Sequence, residues 1–234
     1  MKSNIITFEA QSNHVFQVRE KPIPAINMIP EWWKAIPKYS TNQKELTVNP
    51  SPNLTVKKCA PTLDMLGAGY IITLWADIFV QRDGEDNFRL SWTVDQPVVD
   101  LWSDEQLSSF SVPENFSKPA IKYNHGWNII TPPGWSTMFF HPVGYEDLPI
   151  KAISGIVDTD ILTTGINCPF FLKKNFSGII EKGTPIVQFL PFKREGWESK
   201  FTNPGEEKAF FESEKLRTKI SNSYSSKRAK KYFK

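Results

Sequence analysis

Cysteine is scarce in this chain of 234 residues, which has only Cys59 and Cys168. Two are too few for a disulfide scaffold or a cysteine-based structural zinc site, and they fit a reducing interior such as a cytoplasm. Histidine is nearly as scarce. His14, His125 and His141 show no His-x-x-x-His and no His-x-Asp spacing, so no metal motif is read from them. No apolar run approaches the roughly 18–20 residues that span a bilayer. The opening "MKSNIITFEAQSNHVFQVRE" lacks a continuous apolar signal region, so neither membrane nor secretion is expected. Helix-forming runs are few, whereas prolines number 18. Strands, turns and loops are therefore expected rather than a bundle.

What the chain does have is material for a core: 40% of its residues are hydrophobic and 13% aromatic, which excludes global disorder. Its formal charge of +3 hides an asymmetry, because the last ten residues, "SSKRAKKYFK", hold five basic groups and no acid. The remainder is at about −2 by that count, which is not the footprint of a nucleic-acid-binding body. From Asp83 to Glu114 eight acids stand against one arginine. They read as a solvated loop, or as the counterpart of a basic tail, its own or a neighbour's.

Gly and Pro punctuate short apolar runs along most of the chain, the pattern of a sandwich or barrel-like β-fold. "NIITFEA" and "HVFQVRE" are expected strands, and "PEWWKAIP" is an expected helical turn that anchors Trp32 and Trp33 on the body. "LTVKKCA", "GAGYIITLWADIFVQ", "NFRLSWTV" and "PVVDLW" follow as strands, with "DGEDN" as a hairpin turn. "PGEEKAFFESEKLRTKI" reads as a helix, with acids at its start and bases near its end. The layout is then N-terminal strands and a proline-rich arm over 1–53, a β-rich core domain over 54–203, a helix over 204–221 and a basic tail over 222–234. The tail is expected to be disordered unless a partner holds it. There is no internal repeat.

The chemistry-bearing stretch is "SGIVDTD", residues 154–160. Asp158 and Asp160 are separated by one residue, so on an extended chain both project from one face. They have three possible roles: a turn stabilised by its own side chains, a catalytic carboxylate, or a nucleotide or metal site. Lys57 and Lys58 are candidate phosphate ligands, although on a strand they point to opposite faces. Cys59 beside them is either a buried apolar cysteine or a reactive thiolate. Trp127 and Trp135 bracket "NIITPPG" and either pack or line a groove for a base or sugar. His141 in "FFHP" is expected to satisfy a loop hydrogen bond. The tail, with Tyr232 and Phe233, offers phosphate contacts and stacking to nucleic acid, but such tails are also common solubilising ends.

"GIVDTD" followed by "IEKGTPIVQFLPF" resembles the third and fourth motifs of the dUTPase and dCTP deaminase superfamily. "GAGYIITL", with Tyr70, and "TPPGWSTMFFHP", with Trp135, resemble the first two, in the same order. The resemblance covers about 67–192 and implies a mainly β fold of dUTPase-like jelly-roll or β-barrel type, here with a proline-rich N-terminal arm and one C-terminal helix. It also implies a homo-oligomer, a trimer by analogy, and a role for the acid matching Asp158 in activating water. The departures bear on activity. Ile161 stands where the family's tyrosine packs on the sugar, and Ile71 replaces the aspartate of the first motif. Pro133 and Gly134 replace an arginine and serine that hold phosphate oxygens, and the glycine-rich closing arm has no counterpart. Lys57, Lys58 or Lys151 would have to supply the missing positive charge. The whole chain, through "PEWWKAIP", "TVKKCAPTLDMLGAGYIITL" and "GTPIVQFLPFKREGW", also resembles a family of tailed-phage and bacterial proteins without an assigned activity. That implies a phage or prophage context, in the host cytoplasm or the virion.

Two functions follow as expectations. The favoured one is a non-catalytic binding or assembly module with no cofactor, whose partner is a protein or another copy. The alternative is a divergent enzyme on nucleotides, with Asp158 as base and Asp160 supporting a Mg²⁺.

Overall fold

The computed structural model describes residues 4–39, 55–84, 87–203, 205–211, 228–229 and 233. From the N-terminus come β1 (Thr7–Ala10), helix α1 (Asn13–Val18), β2 (Ile23–Pro24), α2 (Glu31–Ala35) and α3 (Ala60–Leu66). Then β3 (Tyr70–Thr73), β4 (Ile78–Arg82), β5 (Phe88–Ser91) and β6 (Val99–Leu101) lead to the short helix α4 (Asp104–Leu107). The remaining strands are β7 (Phe116–Tyr123), β8 (Trp127–Ile130), β9 (Trp135–Phe140), β10 (Ile150–Ala152), β11 (Gly155–Val157), β12 (Cys168–Lys173), β13 (Gly178–Ile180) and β14 (Pro185–Lys193). Residues 206–211 are helical. The expected C-terminal helix is thus present in its first part, and its continuation lies outside the described residues.

The fold is mainly β. Every strand pairing is antiparallel. The two larger sheets run β11-β9-β14-β3-β2 and β10-β12-β7-β6, with a three-stranded sheet β13-β4-β5 and the pair β1-β8 beside them. One large core joins them, built from Tyr70, Ile72 and Leu74 of the β3 region, Ile121 and Tyr123 of β7, Phe170 and Leu172 of β12, and Ile186 and Phe189 of β14. Tyr123 ties two sheets together: its buried hydroxyl donates to the Thr73 carbonyl at 2.7 Å and accepts from the Trp75 N–H at 3.0 Å. Gly69 opens β3 at φ 68°, and a Cβ there would lie 1.9 Å from the Phe189 carbonyl oxygen. Only glycine allows β3 and β14 to approach so closely at that backbone angle.

Two segments differ from the sequence-based expectation. "HVFQVRE" alternates like a strand, yet residues 13–18 form α1, because Ser12 caps it by accepting from the Val15 N–H at 3.2 Å. Val15 and Arg19, one helical turn apart, are its buried contacts. "LTVKKCA" likewise is not a strand: Thr55 caps a tight turn over Val56–Lys58, and α3 follows with proline in its first turn. The "PEWWKAIP" helical turn is found as α2, with Trp33 buried against Ile29 and Leu66. The hairpin turn after β4 is closed by Asp83 N–H donating to the Asn87 carbonyl at 3.0 Å. Among the described residues no helix is long and apolar enough to cross a membrane.

Candidate functional site

Sheet register builds the site. β9 lies between β11 and β14, with Val157 opposite Thr137 on one side and Lys193 opposite Trp135 on the other. Continuing both ladders past the strand ends brings Asp158 beside Ser136, and sets Asp160, Gly134 and Arg194 at one level across three strands. The hydrogen bonds follow that geometry. The Arg194 N–H donates to the Gly134 carbonyl at 2.8 Å, and the Gly134 N–H donates to Asp160 Oδ2 at 2.8 Å. The Ser136 hydroxyl donates to Asp158 Oδ1 at 2.6 Å.

Between the two aspartates, Thr159 points inward and is fully buried. Its hydroxyl lies 2.7 Å from that of Thr131 and 2.8 Å from that of Thr137, an enclosed chain of three hydroxyls. This alternation puts both carboxylates on the outer face, as expected for acids two residues apart. There they meet Arg194, whose two terminal nitrogens grip Asp160 at 2.8 and 2.5 Å, while Nη1 also lies 3.2 Å from Asp158 Oδ1. The forked guanidinium matches a carboxylate in this two-point manner. That contact, helped by the Gly134 N–H, holds the Asp160 carboxyl down to about 2, and the same partner raises Arg194. The Asp160 side chain is 8% exposed and that of Asp158 51%.

Arg194 and Ser136 are the residues that sequence reasoning did not find. The one signal for Arg194 was its place directly after the β14 run "PIVQFLPFK", and only the strand register connects it to Asp160.

Of the other candidates, Trp135 is at the site, where its carbonyl accepts from Arg194 Nη1 at 3.1 Å. The remainder have other partners. Lys57 caps the end of α2: its ammonium donates to the Trp33 carbonyl and, at 3.3 Å, to that of Lys34. The Lys58 ammonium lies 5.4 Å from the Tyr39 ring. Lys151 pairs with Glu146 at 3.0 Å. Tyr70 is buried in β3, stacked on Phe189 with ring centroids 5.6 Å apart. Trp127 is buried and donates to the Glu20 carbonyl at 2.9 Å, a packing role. His141 makes its loop contact, Nε2 to the Tyr145 carbonyl at 3.1 Å. Cys59 departs from the buried reading: it is exposed at the start of α3, and hydrogen bonding to Thr62 lowers its pKa. Among the described residues no group of three or more His, Cys, Asp or Glu is placed to hold a metal ion.

No family model matches the chain, and no curated protein matches it. Among solved structures it is similar to a dUTPase of Staphylococcus bacteriophage 80alpha, a mutant with dUpNHpp. The identity is 13% over 87% of this chain and 91% of that one, with a TM-score of 0.38. It is also similar to a mutant dUTPase of phage phi11 of S. aureus, at 10% identity over 87% of this chain and 99% of that one, with a TM-score of 0.35. The resemblance to phage dUTPases is remote.

Proposed function

We propose that this chain is a non-catalytic binding and assembly module, and that Asp158 and Asp160 fasten the end of its main sheet. The observation that carries this reading is Arg194, which engages both carboxylates and holds Asp160 through both oxygens. Asp158, the acid expected as the base, already accepts from the Ser136 hydroxyl through the same oxygen that Arg194 Nη1 approaches. A Mg²⁺ at Asp160 would have to displace a guanidinium from the oxygens it needs, so these residues do not fit that ion. Beside the clamp, Ile156, Ile161 and Leu162 are exposed by 63%, 74% and 51%, an apolar group suited to a protein partner. The partner on this reading is a further copy of the chain, in a trimer as the superfamily resemblance implies.

A second reading, a divergent nucleotide hydrolase, draws on the half-exposed Asp158 and its short contact to Ser136. Incubation with deoxynucleoside triphosphates and Mg²⁺, followed by chromatography, separates the two. The module reading expects no turnover, together with a concentration-dependent oligomer in sedimentation. Turnover that disappears in Asp158→Asn while the melting temperature holds would replace it with the enzyme.

A further inference from the structure

Two residues of the basic C-terminal tail lie against the body on elements remote in sequence from the Asp158 clamp. Arg228 Nη1 is 3.0 Å from Asp64 Oδ1 on α3, and the two side chains are only 29% and 20% exposed. Five residues further on, the Phe233 ring meets the Tyr70 ring edge-on, with centroids 5.9 Å apart and planes at 80°. Phe8 approaches Tyr70 in the same manner at 5.0 Å, so Tyr70 presents an aromatic floor framed by other rings. The end of α3 and the start of β3 carry Asp64 and Tyr70 six residues apart, and the Gly69 turn between them is locked by its approach to Phe189. The surface therefore has two unlike subsites at a fixed spacing, a carboxylate for a guanidinium and an aromatic floor for a ring.

We propose that the Asp64–Tyr70 surface is a recognition site for a cationic peptide segment bearing an arginine and, five residues later, an aromatic ring. Its occupant is the C-terminal segment of this chain. Arg228 and Phe233 of the chain's own tail meet the two subsites here, and the same segment of a second copy takes their place when that tail leaves. Each subsite contact is modest alone, and tethering sustains them: a covalently linked ligand meets its site at an effective concentration of order millimolar. Charge complementarity at the first subsite points the same way, since the Arg228 guanidinium meets the Asp64 carboxylate at 3.0 Å. The site is independent of the role assigned to Asp158 and Asp160.

The test uses a fluorescein-labelled peptide of residues 222–234 and fluorescence anisotropy against the full-length protein. In the double variant Arg228→Ala, Phe233→Ala the tail no longer competes, so this protein should bind the peptide at least about tenfold more tightly than the wild type. Adding Asp64→Asn should weaken that binding about tenfold, and Asp64→Glu should retain it. A scrambled peptide of equal charge should bind weakly. Equal binding of the scrambled peptide, or no binding to the double variant, would overturn the proposal. Neither result would bear on turnover or sedimentation of the wild type, so the two proposals fail separately.

Discussion

His125 makes acid a specific threat to this fold. It sits between β7 and β8, 2% exposed, where Nδ1 accepts from the Trp127 N–H at 3.1 Å. Burial pushes its pKa from 6.5 down to about 4; the Arg19 charge adds to the fall, and the Ile166 backbone opposes it. The folded state therefore holds His125 neutral, while the unfolded chain takes up a proton near 6.5. Between these two values the unfolded state binds more protons, so stability is complete above about pH 6.5, declines as pH falls, and levels off below about 4. At 1.36 kcal/mol per unit, the loss across that window is about 3 kcal/mol. In a chain of this size that is roughly 6–12 °C of melting temperature. Urea unfolding at half-unit pH steps, for wild type and His125→Asn, measures it. Asparagine can keep an acceptor for the Trp127 N–H but does not titrate, so its curve should be flatter by about 3 kcal/mol between pH 6.5 and 4. Parallel curves would refute the reasoning and place the acid sensitivity in other groups.

Three further outcomes are expected. Asp160 gives a second, lower acid window: its carboxyl is held at about 2 against an ordinary 3.8, so its stabilisation is intact above 3.8 and lost as pH falls toward 2. Asp160→Asn should remove that window, and a cycle pairing it with Arg194→Gln should be non-additive in urea unfolding; simple additivity would dissolve the clamp. Tyr123→Phe strands the buried Trp75 N–H and Thr73 carbonyl, and should cost about 2–3 kcal/mol in the same assay. Trp33→Ala empties the small cluster with Ile29 and Leu66, and should cost about 3–5 kcal/mol, with a loss under 1 kcal/mol marking the arm as loosely held.

The β character was legible because proline and glycine break this chain into runs too short for helices. The short helices were not. "HVFQV" alternates well enough for a strand, and six residues are too few to display a helical period, so the outcome rested on one cap at Ser12. The aspartate pair was visible as a motif and its shared outward face followed from spacing alone. Its partner was not visible, because Arg194 lies 34 residues beyond Asp160 and reaches it only through the pairing of β14 with β9. Local pattern cannot disclose a contact that strand register creates. Lys57 shows the converse: it reads as a phosphate ligand, yet its ammonium closes the end of α2, a helix whose own residues gave no hint of needing it.

Tyr70 has a Phe8 ring on one side and a Phe233 ring on another, both within 6 Å. Rings from β1 and from the basic tail, far apart in sequence, thus converge on a single phenol. Fluorophores placed beside Phe8 and beside Phe233 would report departure of the tail as a loss of energy transfer.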